Sequence, residues 1–133
     1  MSQTNELEIM ERIALDLEGV EESLASSFNT GAEDFNALIR PLSAAGGKRL
    51  RAQLCLLIAN AGTSVERQRI RIAEAVEMLH LATLIHDDVL DQAEIRRGED
   101  TIHMHKGNKV AILSGDYLFA KAFQIVSEMP NMK

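Results

Sequence analysis

The residues best suited to chemistry are three aspartates in the stretch LIHDDVLD, residues 84–91, near the end of a predicted helix. Asp87 and Asp91 lie four residues apart and share one helix face, with Asp88 about 100° around the axis. The helix dipole disfavours anions there, and three close carboxylates also repel one another. A bound cation removes both costs, and oxygen ligands without His or Cys partners suit Mg²⁺. The stretch therefore predicts a magnesium site, with a solvated acidic face as the alternative.

Two basic clusters on either side of the aspartates predict an anion site. The first, GGKRLR at 46–51, lies where a flexible turn enters a helix, so that free backbone N–H groups and the helix dipole both favour an anion. The second is RRG at 96–98, and His80 lies on the same helix face as Asp87. Each feature alone is typical of surface charge or a structural histidine. Together with a metal they predict two phosphorylated groups in one cavity.

Helices must position these residues, and the spacing of apolar residues predicts an antiparallel, all-α bundle in a single domain, 1–133. Pro41 interrupts the second predicted helix, and Thr63 with Glu66 has the spacing of a capping box that opens the fourth. No strand is predicted. The predicted helices are 5–28, 34–42, 50–61, 64–91 and 109–128.

The last predicted helix, 109–128, is apolar around nearly its whole circumference. A helix of that kind is covered on all sides, and four or five helices cannot easily surround their own last member. We expect something outside this chain to cover it. The alternative is that it forms the centre of a small bundle.

Composition narrows the functional class. Fourteen basic and twenty acidic residues give a net charge of −6, opposite in sign to a general nucleic-acid binder. The sequence starts without the features of a secretory signal, and its longest uncharged stretch, 52–65, is too short to span a bilayer. The single cysteine, Cys55, cannot form an internal disulfide and fits a reducing compartment. We expect a cytoplasmic protein without a transmembrane segment.

These motifs and their order resemble the N-terminal half of the trans-type isoprenyl diphosphate synthases. Three segments match: GGKRLR at 46–51; EMLH at 77–80 leading into IHDDVLD at 85–91; and RRG at 96–98 followed by GDYL at 115–118. The resemblance covers essentially the whole chain. It implies the isoprenoid-synthase fold and the condensation of isopentenyl diphosphate with an allylic diphosphate.

The resemblance also implies a role for each matching residue. Asp87 and Asp91, with Asp88 in support, resemble the first aspartate-rich motif, which is catalytic and binds Mg²⁺ bridging to the allylic diphosphate. Arg96 resembles the arginine that meets this diphosphate. The residues expected to contact isopentenyl diphosphate are Lys48, Arg51, His80 and Arg97.

Two small residues precede the aspartates by about one helical turn. Ala82 and Thr83 occupy positions where the family often places a bulky residue as the floor of the product tunnel. By resemblance, their small side chains imply a long polyprenyl product.

The sequence lacks the second aspartate-rich motif that family members, more than twice as long, carry in their later half. We therefore expect an incomplete metal cluster, no activity of the chain alone, and self-association unless a partner is present. Three alternatives stay open: a subunit of a split synthase, a fragment of a longer enzyme, and a non-catalytic diphosphate-binding or regulatory module. A terpene-cyclase-like protein is a more distant alternative, because two basic clusters favour two diphosphates.

Overall fold

The computed structural model describes residues 3–44 and 47–130, which form helices and one short hairpin. The all-α class is confirmed. The described elements are α1 (Gln3–Ser27), α2 (Glu33–Ala44), α3 (Leu50–Asn60), α4 (Glu66–Leu90), β1 (Ile95–Arg96), β2 (Glu99–Asp100), α5 (Ile102–Lys106) and α6 (Asn108–Ser127).

α4 is the element against which α1, α3 and α6 pack. At the beginning of α3, the Ala52 backbone N–H donates to Glu77 of α4. At its end, Asn60 binds Asp16 of α1, and Arg69 near the beginning of α4 binds the same carboxylate. α3 therefore runs antiparallel to α4.

α6 also runs antiparallel to α4, and two close contacts show it. Near the end of α4, His86 Nε2 lies 3.0 Å from the Ile112 carbonyl oxygen. Near its beginning, an Arg71 guanidinium nitrogen lies 3.7 Å from a Glu128 carboxylate oxygen. A Cβ on Gly115 would overlap with the His86 ring, so glycine favours this close approach of the two helices.

The hydrophobic core lies between these helices. Side chains with little or no exposure come from all six helices and from Phe28 just after α1, and the largest apolar ones are Phe28, Leu24, Ile39, Leu56, Met78, Leu118 and Ile125. Their burial is the main favourable contribution to folding. It fixes which face of α4 points inward and which stays available for a ligand.

Two local predictions about the helices differ from the structure. α2 continues three residues beyond Pro41, although proline cannot donate a backbone hydrogen bond inside a helix. The predicted capping box is wrong: Val65 is the N-cap of α4 and makes no side-chain capping bond, while the Ser64 hydroxyl donates to the Ala59 carbonyl.

The prediction of no strand is also wrong, because a hairpin follows α4. Ile95 pairs with Asp100 and Arg96 with Glu99 in antiparallel register. The two turn residues, Arg97 and Gly98, both have positive φ, 51° and 81°, as a two-residue type I′ turn requires. This turn places Arg97 at the hairpin tip.

α6 is not the centre of a bundle, so that alternative is wrong. One face is buried, through Ala111, Ser114, Gly115, Leu118, Ala122 and Ile125. The other exposes large apolar side chains: Val110, Ile112, Leu113, Tyr117, Phe123 and Val126. Cover from outside the chain stays a prediction. By length and composition α6 could also cross a membrane, with 33% of its apolar window buried, although a core helix of a soluble protein meets the same criteria.

Candidate functional site

Two separate segments, 47–51 and the hairpin, bring cationic side chains together beside the C-terminal half of α4. Arg51 Nη1, from the first turn of α3, lies 3.2 Å from His80 Nε2. The Arg97 guanidinium reaches back from the hairpin tip to Gly47, where a Cβ would lie 3.2 Å from Arg97 Nη2. The sequence prediction that these basic clusters share one region agrees with this placement, because residues 47–51, His80 and Arg97 are neighbours.

The positive charge of this cluster is evident at His80. Partial burial and the charges of Arg51, Arg97 and Arg96 lower the pKa of the His80 imidazole, and the opposing effect of Glu77 does not compensate. A neutral imidazole can accept the Arg51 hydrogen bond, whereas a positively charged imidazolium in that place would be repelled by the neighbouring arginines. The cluster therefore has a surplus of positive charge that a phosphate group would relieve.

The basic turn, defined here as residues 47–51, has an unusual backbone. Gly47 and Arg49 both have left-handed φ angles, 70° and 51°. Lys48 between them is exposed. Gly46, the first residue of the predicted motif, lies outside the described residues.

One part of the predicted anion site is wrong. The backbone N–H groups at the beginning of α3 were expected to be free for an anion, but Ala52 N–H donates to the Glu77 carboxylate at 3.0 Å. The positive end of α3 is therefore partly neutralised from within the protein. An anion at this site must bind chiefly through the side chains of the basic turn, His80 and Arg97.

The three aspartates occupy two different environments. Asp88 is buried and forms a forked ion pair with Arg96, with Nη2–Oδ1 at 2.6 Å and Nε–Oδ2 at 2.8 Å. The hydrogen bond to Asp88 is the largest cause that raises the pKa of Arg96, and the charges of Asp87 and Asp91 act in the same direction. Asp88 therefore positions Arg96, and Nη1 is the guanidinium nitrogen that this pair leaves for an anion.

Asp87 and Asp91 are both exposed, and they lie one turn apart, because the Asp91 backbone N–H donates to the Asp87 carbonyl. Among residues 3–44 and 47–130, no group of three or more His, Cys, Asp or Glu side chains could hold a metal ion. Mg²⁺ bound together with a phosphate needs only one or two carboxylates. The exposed pair fits that smaller requirement, and a complete protein-made metal cage does not form in the described part of the chain.

A cavity of about 370 Å³ lies between α2, α4, the hairpin and α5. It adjoins the cationic cluster, and its apolar wall includes Leu38, Leu42, Leu81, Leu84 and Ile85. Four of the residues predicted for the site line it: His80, Asp88, Arg96 and Arg97. The others lie outside its lining, namely Lys48, Arg51, Ala82, Thr83, Asp87 and Asp91.

The structure separates the two predicted chain-length residues. Ala82 is 0% exposed and packs into the hydrophobic core, and its role in product length stays a prediction. Thr83 is exposed and lies one turn before Asp87 on the same side of α4. Its hydroxyl donates to the His80 carbonyl.

Sequence reasoning missed the buried ionic network beneath the basic turn. Arg49 is bound by Glu21 of α1, Glu77 of α4 and the Ser43 carbonyl. A signal was present: Glu77 lies among apolar residues on the inward face of the predicted helix, where an unpaired carboxylate is costly.

A model of the polyprenyl synthetase family matches residues 32–133. Over 125 residues the chain is 34% identical to the octaprenyl diphosphate synthase of Escherichia coli, covering 94% of this chain and 39% of that protein. It is 39% identical over 117 residues to component 2 of the heptaprenyl diphosphate synthase of Geobacillus stearothermophilus, covering 87% of this chain and 36% of that one.

A solved structure shows the same arrangement of helices. The polyprenyl synthase of Caulobacter crescentus, complexed with calcium and isoprenyl diphosphate, superposes with a TM-score of 0.85 at 36% identity. The match covers 93% of this chain and 38% of that protein. The chain therefore spans well under half the length of the proteins it resembles.

Proposed function

The chain belongs to the polyprenyl synthetase family, and from that premise we propose that it supplies the substrate-binding wall of a trans-prenyltransferase. Such an assembly condenses isopentenyl diphosphate with an allylic diphosphate. In this proposal Arg51, His80, Arg97 and Lys48 bind the isopentenyl diphosphate, and Arg96 contacts the allylic one.

The observation that carries the proposal is the convergence of charge at one end of α4. The basic turn, His80 and the hairpin tip form a cationic cluster. Asp87 and Asp91 lie exposed about two and three turns further along from His80. Cations that bind one diphosphate, next to carboxylates that suit a metal-bound one, meet the needs of a reaction between two diphosphates.

The chemistry proposed for this site requires charge stabilisation and the exclusion of water. The allylic C–O bond breaks, and the diphosphate leaves with the electron pair. The isopentenyl double bond then attacks the carbocation, and a proton is lost to restore a double bond. Guanidinium groups stabilise the departing diphosphate, while Leu84 and Ile85 provide aliphatic surface from which water is excluded.

Mg²⁺ is the metal that we propose for this site. Asp87 and Asp91 would hold it, and when bound it would neutralise charge on the allylic diphosphate. Asp88 has a different task here, because its carboxylate already holds Arg96 in place.

We further propose that turnover needs a complementary helical segment. The two exposed aspartates provide a partial acidic wall, and α6 presents a row of exposed apolar side chains. A second chain, or a second half of the same protein, would add the remaining metal ligands and cover these apolar groups.

A turnover assay tests the proposal. Purified chain would be incubated with Mg²⁺, radiolabelled isopentenyl diphosphate and farnesyl diphosphate, alone and with a candidate complementary chain. Chain elongation only in the combined sample is the expected result. Elongation by the chain alone contradicts the need for a complement, and no elongation in any combination contradicts the catalytic role.

The alternative function is a non-catalytic diphosphate-binding subunit of a heteromeric prenyl synthase. The incomplete acidic wall favours it, since among the described residues no group of three or more His, Cys, Asp or Glu side chains could hold a metal ion. Diphosphate binding without elongation, combined with stimulation of a separately active partner, would identify this alternative.

A further inference from the structure

Glu77 and Arg49 lie beneath the proposed anion site, and neither has a role in the proposed condensation of the two diphosphates. Their side chains are 2% and 7% exposed, and Glu77 Oε2 lies 3.4 Å from Arg49 Nη1. Both come from segments that also carry ligand-binding residues, because Arg49 lies between Lys48 and Arg51, and Glu77 lies one turn before His80.

Each carboxylate oxygen of Glu77 has a different task. Oε1 accepts the Ala52 backbone N–H at 3.0 Å and so caps the beginning of α3. Oε2 faces the Arg49 guanidinium. One side chain of α4 therefore fixes both the first turn of α3 and the residue that precedes it.

Arg49 is held from three directions. Its Nη2 donates to the Ser43 carbonyl at 2.6 Å and to Glu21 Oε2 at 3.2 Å, while Nη1 faces Glu77. Burial opposes the charge of Arg49, but the hydrogen bonds and charges of Glu21 and Glu77 outweigh it and raise the pKa. The guanidinium thereby ties α1, the end of α2 and α4 to the basic turn.

The backbone of Arg49 shows why such a fixture is needed. Its φ of 51° is left-handed, a conformation that is strained for a residue with a side chain. Strain of this kind persists only where the surroundings determine the conformation. The three contacts of Arg49 supply that restraint. The left-handed turn leaves Lys48 and Arg51, on either side of Arg49, exposed at the surface.

We propose that Glu77 and Arg49 are a buried positioning pair that holds the basic turn against His80 for diphosphate binding. The inference rests on the proposed function, and it assigns these residues an action through Lys48, Arg51 and His80. Neither residue needs to touch the substrate.

A second buried ion pair in the same molecule provides a matched control. Asp16 and Arg69 are 4% and 11% exposed, and they join α1 to the opposite end of α4, away from the basic turn. Removing the charge of Asp16 should disturb the fold about as much as removing that of Glu77. Only the Glu77 substitution should weaken anion binding at the basic turn.

The test compares wild type, Glu77→Gln and Asp16→Asn in the full chain. Calorimetric titration with inorganic diphosphate gives the affinity, and thermal unfolding gives the stability. We expect Glu77→Gln to weaken diphosphate binding about tenfold, while Asp16→Asn binds within twofold of wild type at a similar loss of melting temperature. Equal weakening in both variants, or unchanged binding in Glu77→Gln, overturns the inference.

Hydrogen–deuterium exchange separates this inference from the proposed function. Without any ligand, amides in 48–53 should exchange faster in Glu77→Gln and in Arg49→Lys, and at the wild-type rate in Asp16→Asn. Unchanged exchange there overturns the positioning pair. If wild type binds no diphosphate, the proposed function fails, and faster exchange in 48–53 still supports the role of the pair in holding the turn.

Discussion

The two ends of α4 use charge differently. At the beginning of the helix, Arg69 pairs with Asp16, and Arg71 binds Glu74 and approaches Glu128. At the other end, cations from the basic turn and the hairpin gather around His80, and two aspartates stay exposed nearby. Charged side chains that pair within the chain, as at the beginning of α4, stabilise the fold. The unpaired cations around His80 instead favour the binding of an anionic ligand.

The exposed aspartates should show the largest difference between the two ends. Replacing Asp87 and Asp91 together by asparagine should lower elongation by the active assembly roughly 100- to 1,000-fold. The reason is that a bound metal would no longer neutralise the negative charge on the departing diphosphate. Glu66→Gln, a similarly exposed carboxylate at the beginning of α4, is the control and should leave elongation unchanged. Comparable losses in both proteins would remove the distinction between the two ends.

Single cations should have a smaller effect. Arg51→Gln should weaken the binding of isopentenyl diphosphate about tenfold, or about 1.4 kcal/mol, because one charge-assisted hydrogen bond is lost. The matched control is Arg67→Gln, an exposed arginine at the other end of the helix. Calorimetry at fixed salt measures both, and equal weakening would indicate nonspecific attraction.

The pH dependence of binding should be smaller again. The lowered pKa leaves His80 neutral at pH 7 in the free protein, and a bound anion favours the imidazolium. Binding therefore takes up a proton, and affinity for inorganic diphosphate should rise about threefold more between pH 7.5 and 6 than in His80→Gln. The variant accounts for titration of the ligand itself, and parallel pH profiles would exclude His80 as a contact.

Product length provides the mildest test, and it contrasts two faces of one helix. Thr83→Phe should shorten the products of an active assembly with little change in stability, since the ring projects from the exposed face beside Asp87. Ala82→Phe should instead destabilise the fold by about 1–3 kcal/mol, because the core has no room for the added atoms. Chromatography of unchanged products from Thr83→Phe would refute its role.

Much of the fold was predictable because long amphipathic helices leave a strong periodic signal. α1, α3, α4 and α6 were all predicted within about two residues of their ends, as is usual for periodic segments. The hairpin was not, since strands of two residues carry no periodicity. Its signal was local: an Arg-Gly pair that adopts two positive φ angles.

The approach of Arg51, His80 and Arg97 to one region was predictable from the sequence, whereas the internal pairing of the site was not. Helical spacing already placed Asp88 about 100° away from Asp87 and Asp91, but it could not identify the partner of Asp88. Only tertiary structure shows that Asp88 is buried and committed to Arg96, and that Glu77 occupies the beginning of α3. Such pairings depend on how the loops bring distant segments together, and the local pattern of residue types does not determine that.

The central claim is that a diphosphate binds where the basic turn, His80 and the hairpin tip meet. Titrating the isotopically labelled chain with isopentenyl diphosphate, followed by ¹H–¹⁵N NMR spectra, tests it most directly. The account predicts saturable amide shifts in 47–51, at His80 and in 96–98, with the beginning of α4 unaffected. Shifts confined to the Arg67–Arg71 region, or none at saturating ligand, would contradict it.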